Sequence, residues 1–218
     1  MTTSGIFAVL TGTAALLSGQ AAPAGLWFYL LVFTILLLGA VFIITPVPEN
    51  SFLLVSGAMA VSGRVSLAGV FAAAVAGAYI GYDLNYRTGR LFDLAVCQRV
   101  CPHILRERNI GRTRALMERY GPLSVVISRF IPLVNLPPFF AGLEAMNYRW
   151  YVVVNLAGAL LWCGVTVLIG YYVGTFPLVQ DYLPLIFILV LLVTAMAIAY
   201  GVGKLVQARM RRDRNTTS

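Results

Sequence analysis

The chain has 218 residues, of which 60% are hydrophobic and 11% are charged, and its formal net charge is +8. Its mean hydropathy of +0.84 excludes an ordinary soluble globular domain and indicates an integral membrane protein. The length allows one bundle of about four to six membrane segments and leaves no room for a separate soluble catalytic domain.

The N-terminal part, residues 1–25, is predicted to lie apart from the main membrane domain. Residues 5–18 are apolar but interrupted by Thr, Ser and Gly, which indicates an interfacial helix or a weak span. No Lys or Arg lies near Met1, so we expect no cleaved signal peptide. Residues 26–45 form a strong transmembrane candidate, with an aromatic anchor that begins at Trp27.

A proline-rich break follows this span. Pro46 and Pro48 remove backbone donors and disfavour a regular helix just before Glu49, the first charged residue of the chain. A charge on irregular backbone is tolerated in a membrane only where it lines a cavity or is buried in protein. The apolar run after Asn50 is too short to cross about 30 Å of hydrocarbon. The pattern therefore predicts a re-entrant hairpin over residues 44–65.

Residues 66–86 can span the membrane, and their small side chains allow close helix packing. The next segment, residues 87–120, is rich in arginine, and a second basic cluster lies in the tail, residues 205–218. The positive-inside rule places both in the cytoplasm, where we expect them to attract anionic lipid headgroups. Because the basic residues flank membrane spans, topology explains them and we expect no nucleic-acid partner.

The Arg-rich segment also holds Cys97, Cys101 and His103, the only histidine. Their spacing is a weak metal signal without a fourth ligand, so we predict reduced thiols, no metal site and no cofactor. A histidine outside the apolar segments cannot form an intramembrane Ser–His pair, and no HExxH pattern is present. These observations argue against an enzyme.

A second proline-rich break also combines prolines with a charged residue in an apolar stretch. Arg129 lies within an apolar stretch that also contains Pro132, Pro137 and Pro138. This pattern predicts a second re-entrant hairpin over residues 122–147, which enters and leaves from the cytoplasm.

Residues 150–174 and 184–203 are predicted to form the last two spans, joined by an external loop from Thr175 to Leu183. The two halves echo each other, since Ala-Gly-Ala occurs in the span that follows each hairpin. Inverted repeats with broken segments are typical of transporters. We therefore predict an all-α polytopic membrane protein with two re-entrant hairpins in an inverted repeat and about three to five transmembrane helices, in one domain over residues 26–204.

Glu49 and Arg129 are the charges expected within the membrane, and each is the natural partner of the other. Arg129 could grip a phosphate with two donors, and Glu49 could take up and release a proton. Asn50 and Asn135 are expected to line the same cavity. The structural alternative is a buried ion pair that only holds the hairpins together.

Three further charged residues rank lower as site candidates. Asp83 is expected to pair with Arg87 or Arg90 where its span leaves the membrane. Arg149 is expected to be an interfacial anchor, and Glu144 lies near the exit of the second hairpin, where it is either exposed to water or part of the site.

Several short motifs follow one another in a fixed order. They are Pro46-Val47-Pro48-Glu49-Asn50, Tyr86-Arg87-Thr88-Gly89-Arg90, Ser128-Arg129-Phe130-Ile131-Pro132, Ala141-Gly142, Asn155-Leu156-Ala157-Gly158-Ala159 and Trp162. As an ordered set, spread over residues 30–175, they resemble the DedA family, also called the SNARE-associated or VTT-domain family.

The resemblance implies opposed re-entrant hairpins and lipid translocation, with Glu49 as the acid after the prolines and Arg129 as the first essential arginine. Two departures accompany it. The family often carries a second carboxylate near Leu37 and a second arginine near Asn135. Losing one acid and one base together keeps the charge balance, and it favours a zwitterionic headgroup or passive scrambling over proton coupling.

The expected function is thus a flippase or scramblase for a polyprenyl phosphate, such as undecaprenyl phosphate, or a phospholipid, such as phosphatidylethanolamine. Membrane lipid, protons and a second copy of the chain are the expected partners, in a bacterial cytoplasmic membrane with the C-terminus inside. Two other hypotheses stay open: a proton- or ion-coupled transporter of small solutes, and a membrane assembly factor that transports nothing.

Overall fold

The computed structural model describes residues 22–41, 48–63, 65–91, 107–131 and 136–216, and every regular element in these ranges is a helix. In chain order the α-helices are α1 (Ala22–Val41), α2 (Glu49–Met59), α3 (Leu67–Leu91), α4 (Glu107–Tyr120), α5 (Ser124–Ser128), α6 (Pro137–Leu143), α7 (Tyr148–Gly174) and α8 (Pro177–Thr216). Two 3₁₀ turns, Ala60–Ser62 and Gly121–Leu123, extend the short helices. The predicted all-helical class is confirmed.

Three of these helices are long and apolar enough to cross a membrane. They cover Leu67–Leu91, Tyr148–Gly174 and Pro177–Ala199. The first two agree with the predicted spans at residues 66–86 and 150–174. Helix α1 begins before the predicted start at residue 26, and its apolar stretch, Gly25–Ala40, is shorter than the other three.

The C-terminal part differs from the prediction. The expected loop from Thr175 to Leu183 is wrong, because only Thr175 and Phe176 separate α7 from α8. Pro177 suits the first position of a helix, where its fixed φ is favourable and its missing N–H is not needed. The predicted span of residues 184–203 begins at Pro184, but this proline lies inside α8. The predicted tail continues the same helix as far as Thr216.

Short helices occupy both proline-rich regions. Helix α2 has 11 residues, with Pro48 as its N-cap, and the turn after it ends at Gly63, whose φ of 71° is left-handed. Around the second break, α5 has five residues, and α6 has seven and starts with two prolines. Neither α2 nor α6 is long enough to span a bilayer. The re-entrant course of residues 44–65 and 122–147 stays a prediction.

The short helices α2 and α6 each pack on the long helix of the other half, whereas α5 packs on α7 of its own half. Helix α2 lies along α7, and α6 lies along α3. Glycines allow both contacts: a Cβ at Gly170 would overlap the Leu54 carbonyl, and one at Gly142 would overlap the Tyr86 carbonyl. Helix α1 packs on α3 and completes the first half.

Helix α4 is the described part of the Arg-rich segment. Its exposed arginines include Arg112, Arg114 and Arg119, while Ile110 and Thr113 are buried. Cys97, Cys101 and His103 lie outside the described residues, as do Pro46, Pro132 and Asn135.

Candidate functional site

Arg129 is a buried arginine at the end of helix α5. It is the C-cap of that helix, its backbone N–H donates to the Val126 carbonyl at 3.2 Å, and only 5% of its surface is exposed. The helix stops there, and the guanidinium turns toward α3 and α7. A buried guanidinium needs acceptors for its N–H groups and favourable interactions that compensate its charge.

The guanidinium of Arg129 contacts neutral groups. Nη2 donates to Oδ1 of Asn155 at 2.7 Å and makes a longer bond of 3.5 Å to the Ala78 carbonyl. The cation lies 3.6 Å from the ring centroid of Tyr82, a close cation–π contact. Asn155 is itself oriented, because its Nδ2 donates to the Tyr79 carbonyl at 3.1 Å and its Oδ1 is left for Arg129.

A stack of tyrosines holds Tyr82 in place. Tyr151 donates from Oη to the Tyr82 carbonyl at 2.6 Å, and its ring stacks on Tyr86 with the centroids 4.2 Å apart. Tyr86 in turn donates to the Met146 carbonyl at 2.6 Å. The aromatic face beneath Arg129 is therefore fixed between α3, α7 and the turn that precedes α7.

No described carboxylate forms a direct ion pair with Arg129. Across the described ranges, the ion pair within 4.0 Å is Asp83–Arg87. Nε of Arg129 is buried and has no hydrogen-bond partner among the described residues. The site thus holds a buried cation with an unused donor, which is an arrangement suited to an anion.

Glu49 is the first residue of α2 and is half-buried. Its side chain lies over Gly39 of α1, where a Cβ would come within 2.5 Å of Oε1 and 2.8 Å of Cδ. Glu49 and Arg129 attract each other electrostatically, but the predicted face-to-face pair is not formed. The reason is that Arg129 is held by Asn155 and Tyr82, while Glu49 is seated on α1.

Asn50 links the first broken segment to α7. Its Oδ1 accepts from Nε1 of Trp162 at 3.1 Å, and the rest of the residue is exposed. Asn155 and Trp162 are about two helical turns apart, so they share one face of α7. That face contacts the residues next to both proline breaks.

The lower-ranked candidates lie at the surface. Asp83 pairs with Arg87 at 2.7 Å and accepts from Tyr148 at 3.1 Å, which confirms the predicted interfacial pair. Glu144 and Arg149 are exposed on either side of the link between α6 and α7, and the structure gives neither a bond to Arg129. Arg90 donates to Tyr86 instead of Asp83.

The residues that hold the two charges were not predicted as site residues. Asn155 had a signal, because it is the one asparagine within the apolar α7, and intramembrane polar groups are functional candidates. Tyr82 and Gly39 carried none, since an aromatic residue and a glycine are ordinary in membrane helices.

Comparisons with known proteins show to which family the chain belongs. The VTT domain matches residues 47–172 of the chain. The chain is 32% identical over 177 residues to protein DedA of Escherichia coli (strain K12), covering 79% of this chain and 81% of that protein. It is 26% identical to an uncharacterized membrane protein of Mycobacterium leprae, with 67% of each chain covered. It is also 30% identical to the uncharacterized membrane protein YbfM of Bacillus subtilis, covering 67% of this chain and 90% of that protein. No solved structure matches significantly.

Proposed function

Because the chain belongs to the VTT-domain family of membrane proteins, which includes protein DedA, we propose that it is a lipid translocase and not an enzyme. It moves a lipid headgroup that contains a phosphate across the bilayer, as a flippase or a scramblase. The cargo is a polyprenyl phosphate, such as undecaprenyl phosphate, or a phospholipid, such as phosphatidylethanolamine.

One observation carries the proposal: Arg129 is buried on neutral acceptors and an aromatic face, with Nε unused. A guanidinium paired with an internal carboxylate would have to give up that bond before it could hold a phosphate. Arg129 has no such bond to break within the described ranges. A phosphate oxygen that reaches it gains a charge-assisted hydrogen bond and supplies the missing negative charge.

In this scheme Glu49 is the group that takes up and releases a proton. Its carboxyl group is close enough to feel Arg129 but is not bonded to it. An arriving phosphate repels an ionised Glu49, so headgroup binding favours proton uptake at Glu49, and release of the headgroup favours proton loss. Asn50 and Asn135 are proposed to line the path between these two groups.

The test is transport of fluorescent lipids in vesicles that contain the purified protein. Labelled lipids with several headgroups are compared, each with and without a pH gradient. We expect headgroups with a phosphate to cross, and we expect Glu49→Gln and Arg129→Ala to abolish the crossing while the protein still elutes as a folded species. Arg129→Gln serves as a less drastic variant if alanine leaves a cavity that prevents folding.

Arg112→Ala and Asp181→Asn are the matched controls, because both residues are exposed and lie outside the site. Both should transport like the parent protein. Normal transport by the Glu49 and Arg129 variants would refute the assigned roles. Proton-driven solute uptake without lipid movement would indicate a solute transporter instead, and no transport at all would indicate an assembly factor.

A further inference from the structure

Gly39 has an unusual neighbour. A Cβ built at this position would lie 2.5 Å from Oε1 of Glu49 and 2.8 Å from both Cδ and Cγ. The Glu49 side chain therefore occupies the space that any other residue at position 39 would need. The acid of the site rests directly on the backbone of α1.

Helix α1 cannot move aside to make room at this point. Its last turn is fixed to α3, because Nδ2 of the buried Asn85 donates to the Ala40 carbonyl. Earlier in α1, the Phe33 carbonyl approaches Gly77 of α3 so closely that a Cβ on Gly77 would lie only 2.5 Å from the carbonyl oxygen. A side chain added at Gly39 must therefore displace Glu49, which has rotatable bonds, before it displaces α1.

Four other close glycines behave differently. At Gly57, Gly89, Gly142 and Gly170, the atom that an added Cβ would meet first is a backbone carbonyl oxygen. Substitution there disturbs helix packing itself. At Gly39 the atoms met are those of one flexible side chain, so the fold tolerates the substitution and the position of the carboxyl group changes.

We propose that Gly39 is a positioning residue for Glu49. Because Gly39 has no Cβ, the Glu49 side chain packs directly on the backbone of α1, and we call this contact the seat of Glu49. The seat keeps the carboxyl group near Arg129 without letting it bond to the guanidinium. The chain thus holds the two charges of the site on separate supports: Glu49 on Gly39, and Arg129 on Asn155 and Tyr82. The effect on transport rests on the proposed function, whereas the seat itself does not.

The experiment compares Gly39→Ala with Gly69→Ala. The control is matched, because a Cβ at Gly69 would meet only the side chain of Tyr29, at 2.6 Å from Cζ, away from the site. Each variant is reconstituted and assayed in two ways: lipid transport, and the rate at which a hydrophobic carbodiimide modifies Glu49, followed by mass spectrometry of the peptide. The second assay does not depend on transport.

For Gly39→Ala we expect faster modification of Glu49, since the carboxyl group has left its seat. Transport should fall about tenfold to a hundredfold, because a small misplacement of a functional group has effects of this size. Gly69→Ala should change neither measurement. Unchanged modification of Glu49 in Gly39→Ala would overturn the proposal, whatever happens to transport.

The outcomes separate this proposal from the proposed function. If the parent protein moves no lipid but Glu49 becomes more reactive in Gly39→Ala, the seat is supported and lipid transport is refuted. If Gly39→Ala does not fold, the double variant Gly39→Ala/Glu49→Ala decides, because alanine lacks all three atoms that clash. The double variant should fold as Glu49→Ala does, and a failure to fold would overturn the proposal.

Discussion

Arg129 is stabilised by contacts that are weaker than an ion pair. A hydrogen bond from a charged group contributes about 1.5 to 3 kcal/mol, and a desolvated cation–π contact about 2 kcal/mol. Together they are of the same order as the several kcal/mol that burying one ion costs in a protein. These contacts can therefore hold the buried cation in place, and its positive charge still attracts an anion.

Changing Asn155 to aspartate tests whether the unpaired charge matters. In Asn155→Asp a carboxylate takes the place of an amide oxygen that lies 2.7 Å from Nη2 of Arg129. The new internal ion pair competes with a phosphate, so we expect transport to fall at least about tenfold, which corresponds to about 1.4 kcal/mol of lost binding. Aspartate cannot donate to the Tyr79 carbonyl, so we expect a lower unfolding temperature from the lost bond, partly offset by the new ion pair.

Asn147→Asp is the control for this prediction. Asn147 caps α7, and its side chain accepts from the backbone N–H of Arg149. Aspartate is an equally good N-cap, so neither stability nor transport should change. Parent-like transport by Asn155→Asp would contradict the view that a free guanidinium is required.

The sequence could indicate the charged residues of the site but not their supports. Glu49 and Arg129 stand out because a charge in an apolar stretch needs a reason. The direct pair between them was inferred from charge alone, and it is not formed because neutral groups hold Arg129 while the Glu49 side chain packs on Gly39. Those groups are far away in the chain: Ala78 is 51 residues from Arg129, and such contacts depend on the packing of whole helices.

At the scale of elements, glycine-mediated contacts fix the two short helices. Helix α6 has seven residues and is too short to be stable alone. Its stability comes from α3, where Gly89 meets the Phe139 carbonyl and Gly142 meets the Tyr86 carbonyl. Backbone approaches this close let small residues serve as the packing surface in a membrane.

Gly142→Ala should destabilise the protein without contact with a charged side chain. The added Cβ would lie 2.9 Å from the carbonyl carbon of Tyr86 and 3.0 Å from the amide nitrogen of Arg90, and backbone atoms cannot rotate away. Overpacking of this kind costs about 1 to 3 kcal/mol. The measurement is the unfolding temperature in detergent.

Gly111→Ala provides the comparison, because nothing lies within 4 Å of a Cβ at that exposed helical position. It should raise the unfolding temperature slightly, since alanine is the better helix former. Equal unfolding temperatures for the two variants would show that α6 does not depend on its contact with α3.

Prolines predicted some element boundaries and misled at others. Pro48, Pro137 and Pro138 stand at helix starts in the structure, in line with the predicted breaks. The predicted last span also begins at a proline, Pro184, but this residue lies within α8. Local sequence does not separate these cases, because a proline inside a helix is tolerated when a membrane environment and neighbouring turns stabilise the rest.

At the scale of the molecule, α8 differs from the other long helices. It has 40 residues and is thus about 60 Å long, about twice the hydrocarbon thickness. Of the most apolar 18 residues within Pro177–Ala199, only 11% are buried inside the protein, so most of these residues are left to face lipid. The remainder of α8 carries the basic C-terminal cluster.

The orientation of α8 can be tested with single cysteines. In a background without Cys97, Cys101 and Cys163, we expect Asp181→Cys to react with a membrane-impermeant maleimide in intact bacterial cells. Arg209→Cys should react only after the membrane is permeabilised, because basic residues stay in the cytoplasm. Arg112→Cys should follow Arg209→Cys, and the opposite pattern would reverse the proposed topology.

The exchanged packing of the short helices makes each half of the chain incomplete by itself. A fragment that ends after α3 would contain Glu49 but lack the α7 surface that supports α2. A fragment that begins with α4 would contain Arg129 but lack Tyr82 and the Ala78 carbonyl. Chimeras that join one half of this chain to the other half of a diverged relative should therefore assemble poorly.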